Sequence, residues 1–395
     1  MKPQVEAKTG RAARGVGRRE FLLGALATTG LAATHLSGEV MSGIARVAPD
    51  TLEAVNSTGA SVALSSSITA DIPTTVASNV TPNSDFFIRN HFTTPAINEE
   101  KWTLDVVGMV AKPIKLSYSD ILLTASEHRT ITLECAGNLS GGAGVSTSAW
   151  TGLPLQALLK QAGIQAGATT VIFHGADSGG GDGVPAGTHF ARAIPLEKAM
   201  DPMTLLAYEM NGAPLPPAHG FPLRALVSGW YGMDSVKWLT RIEVAQEPFK
   251  GYFQQELYVA LKSNGERQPI TRMRVNSKFL RPLNDEEIRV KAYRIEGFAW
   301  AGESKVAKVE LRFDGSGAWQ PAVLGDSAAA MVWTPWSYAW TTSRPGQHTI
   351  EVRATDDAGN SQPLARDPDR KDDYELNTPH RISVKVGPWS QVGSS

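Results

Sequence analysis

Cys135 is the only cysteine in 395 residues, so this chain must hold itself together by burial rather than by disulfides or a cluster of cysteine ligands. The material for a core is present, with 42% of residues hydrophobic and 19% charged. A chain of this length is expected to form two domains. A lone thiol admits three readings: an inert buried residue, a nucleophile, or a single thiolate ligand to a metal whose other ligands come from a cofactor. Covalent c-type haem is excluded, because its Cys-x-x-Cys-His attachment needs two cysteines.

Around the thiol, Thr130-Ile131-Thr132-Leu133-Glu134-Cys135 alternates apolar and polar residues. That is the period of a half-buried strand. Ile131, Leu133 and Cys135 share one face, and the strand runs into Ala136-Gly137-Asn138, a small-residue turn where backbone can approach a ligand. A thiol at a strand end beside such a turn is well placed to face a cleft.

The organisation changes along the chain. Arg18-Arg19 precedes an apolar stretch that runs to about Leu36, too short and too rich in Ala, Gly and Thr for a membrane span. Residues 1–36 therefore read as a twin-arginine export signal, with a periplasmic destination and no stable span in the mature form. Residues 37–75, rich in Ser, Thr, Ala and Gly, read as a linker. Residues 76–248 mix strands and helices. The clearest helix places Leu155, Leu158, Leu159 and Ala162 on one face between Pro154 and Gly163, and another follows Pro195. Ser178–Gly183 reads as a glycine-rich loop. After a connecting segment, 249–274, residues 275–388 become purely β: Val309, Leu311 and Phe313 alternate with charged residues before an Asp314-Gly315 turn, and Ile350, Val352 and Ala354 do the same before Asp357-Ala358-Gly359-Asn360. This pattern predicts an immunoglobulin-like sandwich. The expected fold class is α+β, a mixed α/β domain followed by an all-β one. A net charge of −1 implies no nucleic-acid partner.

Chemistry-bearing groups cluster in three further places. Phe87-Ile88-Arg89-Asn90-His91 combines a cation, an amide and an imidazole. His219-Gly220-Phe221-Pro222-Leu223-Arg224 adds an imidazole and a guanidinium, and Ser235-Val236-Lys237-Trp238 adds a hydroxyl, an ammonium and an indole. Cations with backbone amides suit a phosphate. Taken singly, each segment also reads as a solvated loop or a core histidine.

Together with Glu134-Cys135-Ala136-Gly137-Asn138, Ile194-Pro195-Leu196 and Leu206-Ala207-Tyr208-Glu209-Met210-Asn211-Gly212, these segments resemble the sulfite oxidase family of molybdenum enzymes, in order and approximate spacing over residues 76–388. The resemblance implies a molybdenum–molybdopterin cofactor with Cys135 as its thiolate ligand. It implies a cofactor pocket of Phe87, Ile88, Arg89, Asn90, His91, Asp177, His219, Arg224, Ser235, Val236 and Lys237. Tyr258, with Arg89 and Cys135, corresponds to the family's catalytic residues. The implied activity is oxidation of sulfite, a small sulfur oxyanion, to sulfate. Electrons pass to an external acceptor such as a cytochrome c, and the β-domain corresponds to the family's homodimerisation domain. One departure stands out: Leu139-Ser140-Gly141-Gly142 follows Cys-Ala-Gly-Asn where family sulfite oxidases have Arg-Arg. Either Arg89, Arg192 or another cation fills that place, or the substrate is another sulfur compound, a sulfane sulfur or a sulfoxide. The remaining alternative is an exported β-rich binding protein with an inert core thiol.

Overall fold

Leu155, Leu158, Leu159 and Ala162 form the buried face of a helix spanning Leu155–Ala162, as their spacing predicts. The helix starts after Pro154 and stops at Gly163, whose left-handed φ of 72° lets the backbone turn back. Burying each leucine contributes about 1.5–3 kcal/mol. The computed structural model describes residues 79–388, apart from 182, 326–328 and 342–343. The expected export signal and the whole of the expected linker lie outside the described residues.

Two sheets frame the N-terminal half. One orders Ile114–Ser117, Thr103–Gly108, Leu239–Ala245, Thr170–Gly181 and Val184–Pro195. In it Thr103–Gly108 pairs parallel to Leu239–Ala245 and the other pairings are antiparallel. The second orders Glu127–Glu134, Val145–Pro154, Leu205–Met210 and Ala213–Pro214, with Arg224–Leu226 also paired to Leu205–Met210. Leu104, Val106, Phe173 and Ile242 from the first sheet share one core with the Leu155–Ala162 helix and Leu206.

This half is mostly β with few helices. Its α-helices, Tyr118–Leu122, Leu155–Ala162 and Leu196–Ala199, span 5, 8 and 4 residues; helical spacing is satisfied locally while strand pairing carries the architecture. The expected glycine-rich loop at Ser178–Gly183 is corrected. Ser178 pairs with His189, Gly179 with Thr188 and Gly181 with Val184, so most of the segment is the far end of a long hairpin. Gly179 suits this place because the Phe92 ring lies on it: an added Cβ would stand 2.4 Å from Phe92 Cδ1.

The C-terminal half is two sheets facing one core. One orders Asn276–Arg281, Ala292–Trp300, Thr334–Thr341 and Val323–Leu324; the other orders Glu287–Ile288, His380–Val386, Gly346–Asp356, Val306–Phe313 and Ser316–Pro321. Phe279, Ile295 and Trp336 from the first meet Val309, Leu311, Ile350, Val352 and Val384 from the second, the inward positions of the alternation. A smaller cluster of Val145, Leu280, Phe298, Trp300 and Trp333 joins the two halves, with Phe298 and Trp333 stacked at 4.0 Å.

Candidate active site

The strand Glu127–Glu134 is buried on both faces over its last four residues. Ile131, Leu133 and Cys135 lie on one side with Phe86, Phe87 and Trp150. Cys135 follows the strand immediately. Its N–H donates to Gly144 O at 2.8 Å, and its carbonyl accepts from Asn138 N at 2.9 Å. Gly144 N in turn donates to Asn138 Oδ1 at 2.9 Å. These bonds close residues 135–144 into a loop so tight that a Cβ at 144 would stand 3.0 Å from Asn138 Oδ1 and 3.3 Å from Cys135 Cβ. The thiol, 9% exposed, lines a partly open cavity. Burial raises its pKa; a bound metal ion reverses that preference, because a coordinated thiol is deprotonated.

One wall of the cavity is cationic. Arg224 is fully buried, with Nη1 donating to His219 O and Nη2 to Ser235 O, both at 3.0 Å. Lys237 Nζ donates to Ala218 O at 2.9 Å and to Asn90 Oδ1, and it stands 4.4 Å from the Trp238 ring centroid. His219 Nε2 donates to Asn83 O at 3.0 Å, which leaves Nδ1 as the acceptor of the neutral ring. Crowding these groups in a buried wall disfavours their charged forms. Burial, then Arg224, pushes Lys237 down to about 7 and His219 to about 4; burial alone pushes Arg224 to about 9. Two buried atoms here, Arg224 Nε and Asp177 Oδ1, have no hydrogen-bond partner. Asp177 sits where the hairpin's register shifts between His174 and Ser178, the kind of irregularity that re-aims a side chain.

The other wall is aromatic and nearly neutral. Tyr258 ends a single π-helical turn, Phe253–Leu257, a turn type frequent at functional sites. Its Oη is 2.6 Å from His91 Nε2. Burial, with Arg89 and Lys237 nearby, pushes His91 down to about 3, and burial raises the Tyr258 phenol well above its ordinary value. Tyr374, from the C-terminal half, lies 5.4 Å from the Tyr258 ring and is 7% exposed. Arg89 lines the cavity between the two walls, its Nη1 donating to Asn90 O at 2.5 Å.

Phe87, Arg89, Asn90, His91, Cys135, Asp177, His219, Arg224, Ser235, Lys237 and Tyr258, all singled out from the sequence, line this one cavity. Two others do not. Ile88 is half-buried beside it, and the Val236 side chain packs into the main core. Arg192, weighed as a replacement cation, is corrected: it is fully buried, its Nε is 2.8 Å from Asp234 Oδ1, and its other nitrogens donate to Phe253 O and Ile270 O. Its guanidinium touches the site only by lying 5.6 Å from the Tyr258 ring centroid. Ser140 faces Thr378 Oγ1 at 3.0 Å, and Leu139 is 62% exposed, so the segment replacing Arg-Arg adds no cation here. Phe190, Met233 and Tyr374 escaped sequence reading. Phe190 and Met233 line the cavity and Tyr374 packs on Tyr258, and only the fold brings them together.

The comparisons with known proteins agree with this geometry. A family model described as an oxidoreductase molybdopterin binding domain matches residues 91–253, and a second, a Mo-co oxidoreductase dimerisation domain, matches residues 267–384. Human mitochondrial sulfite oxidase is 34% identical over 345 residues, covering 78% of this chain and 62% of that protein. Inducible nitrate reductase (NADH) 2 of Glycine max is 32% identical over 330 residues, covering 72% of this chain and 37% of that protein. The chain thus spans less than two thirds of these relatives' length. Among solved structures, the sulfane dehydrogenase SoxCD from Paracoccus pantotrophus matches with a TM-score of 0.72 and 25% identity, over 79% of this chain and 82% of that one. The residues present fit a phosphorylated pterin cofactor. The cationic wall suits an anion, Arg224 Nε and Asp177 Oδ1 are buried polar atoms with no hydrogen-bond partner, and a single soft sulfur faces the same space. The chain belongs to the sulfite oxidase family of molybdopterin-dependent oxidoreductases.

Proposed function

We propose that this protein oxidises sulfite to sulfate: sulfite and water give sulfate, two protons and two electrons, which leave one at a time to an external acceptor such as a cytochrome c. The observation that carries the reading is that Cys135, Arg89 and the His91–Tyr258 pair line one cavity. The bound molybdenum cofactor supplies oxygen-atom transfer and accepts the electron pair. Cys135 holds the metal as thiolate. Asn90, His91, Asp177, His219, Arg224, Ser235 and Lys237 bind the pterin and its phosphate, the cations through charge-assisted hydrogen bonds. Arg89 binds the oxyanion. The Tyr258 phenol, hydrogen-bonded to neutral His91, keeps a proton at Oη that it can offer to substrate oxygen. Phe87, Phe190 and Leu133 limit water in the cavity.

The wider assignment belongs to the same proposal: periplasmic delivery by the twin-arginine signal at residues 1–36, a catalytic domain over 76–248, and an immunoglobulin-like domain over 275–388 through which two copies pair. A second reading, oxidation of sulfane sulfur, is favoured by the placement of Leu139 and Ser140, which leaves Arg89 without a neighbouring arginine from that segment. The similar fold of a sulfane dehydrogenase supports it. Assay of cofactor-loaded protein separates the two: sulfite-dependent reduction of cytochrome c supports the first reading. Turnover with a persulfidated thiol and none with sulfite replaces it with the second.

A further inference from the structure

The loop that carries Cys135 is fastened from the far half of the molecule. Glu134, 2% exposed, points away from the cavity, and its carboxylate accepts three hydrogen bonds. Asn138 Nδ2 and Asn276 Nδ2 donate to Oε1 at 3.0 and 3.2 Å, and Trp300 Nε1 donates to Oε2 at 2.8 Å. Asn276 and Trp300 lie directly opposite each other on paired strands of the C-terminal sandwich, so one register pair presents both donors. Asn276 is itself held, its Oδ1 accepting from Ser277 N at 2.9 Å and Gln362 Nε2 at 3.1 Å. The third donor, Asn138, is the residue whose Oδ1 closes the Cys135 loop. Two more bonds run the same way: Lys278 Nζ donates to Gly142 O at 2.8 Å, and Glu375 N donates to Ala136 O at 2.9 Å.

A buried carboxylate is tolerated only when hydrogen bonds replace its water, and here two of the three come from the sandwich. We propose that Glu134 is a positioning residue: its carboxylate joins the C-terminal sandwich to the loop of Cys135, and this junction sets the orientation of the thiolate toward the cofactor. The inference rests on family membership and not on the choice of substrate. Glutamine is nearly isosteric but turns one acceptor into an N–H donor. One of the three donors then meets a donor, and the loop is left with an unmatched buried group.

The test uses full-length, cofactor-loaded protein reduced chemically, so that no substrate enters. Glu134→Gln is expected to retain molybdenum yet show a Mo(V) electron paramagnetic resonance signal with shifted g-values. Trp300→Phe, which removes the Oε2 donor together with part of a buried ring, is expected to shift the signal less. Val352→Ala, a cavity in the sandwich core, lowers thermal stability without moving the signal, which separates positioning from general weakening. A native spectrum in molybdenum-loaded Glu134→Gln overturns the proposal. Should that variant fail to fold, a native spectrum in Trp300→Phe overturns it equally.

Discussion

Tyr258 Oη and His91 Nε2 meet at 2.6 Å across 167 positions of sequence. Burial holds the imidazole's pKa down at about 3 and pushes the phenol's up, so both groups are neutral near pH 7 and the phenol donates. Tyr258→Phe is expected to lower turnover about 100-fold, the scale of one positioned proton donor, with molybdenum content unchanged. Steady-state kinetics beside metal analysis checks this. Because neither group ionises between pH 5 and 9, any bend in the wild-type pH–rate profile in that range must survive in His91→Gln.

The cationic wall predicts cofactor retention rather than rate. Lys237 contacts Asn90 and Ala218 only through its ammonium, and a charge-assisted hydrogen bond to an anion is worth about 1.5–3 kcal/mol. Lys237→Met should therefore bind the cofactor about 10- to 100-fold more weakly. The molybdenum-to-protein ratio after extended dialysis reads this. The protein that keeps its metal should turn over near the wild-type rate.

His380 contributes to the acid limb of stability, together with the buried His91 and His219. Its Nδ1 accepts from Phe279 N at 3.1 Å, its ring lies 5.2 Å from that of Phe279, and burial, with Lys278 beside it, lowers its pKa to about 4. The folded state thus binds fewer protons than the unfolded state between that value and the ordinary 6.5. Stability is full above the unfolded value and falls as pH drops toward 4, by about 1.4 kcal/mol per pH unit. His380→Asn keeps an acceptor and cannot titrate, so its melting temperature should fall less steeply over that window in a pH series of thermal melts.

Arg192 and Asp234 form an ion pair with both side chains fully buried. Removing one partner strands the other charge, which costs about 3–5 kcal/mol. Asp234→Ala should lose that much in denaturant unfolding, and Asp234→Ala/Arg192→Met should recover part of it.

What could be read from residues alone follows from how local each signal is. The helix of Leu155–Ala162 and the alternation through Val309, Leu311 and Phe313 are set by neighbours in sequence and appear where their periods place them. Cys135 and the cationic segments were legible because each packs several chemical groups into a few residues. The long hairpin through Ser178 and Gly179 was not, because glycine carries no strand signal and only the Phe92 ring explains its use. Tyr374 and the Glu134–Trp300 bond join residues on opposite halves, and neither leaves a mark in local sequence. Arg192 is a spare cation in local sequence, and only the fold sets its partner, Asp234, beside it.

The central claim is that the sulfur of Cys135 binds molybdenum. X-ray absorption at the molybdenum edge, on wild type and on Cys135→Ser loaded with cofactor, tests it most directly. The account predicts that the variant loses one sulfur neighbour while the pterin sulfurs remain. An unchanged sulfur shell would contradict it.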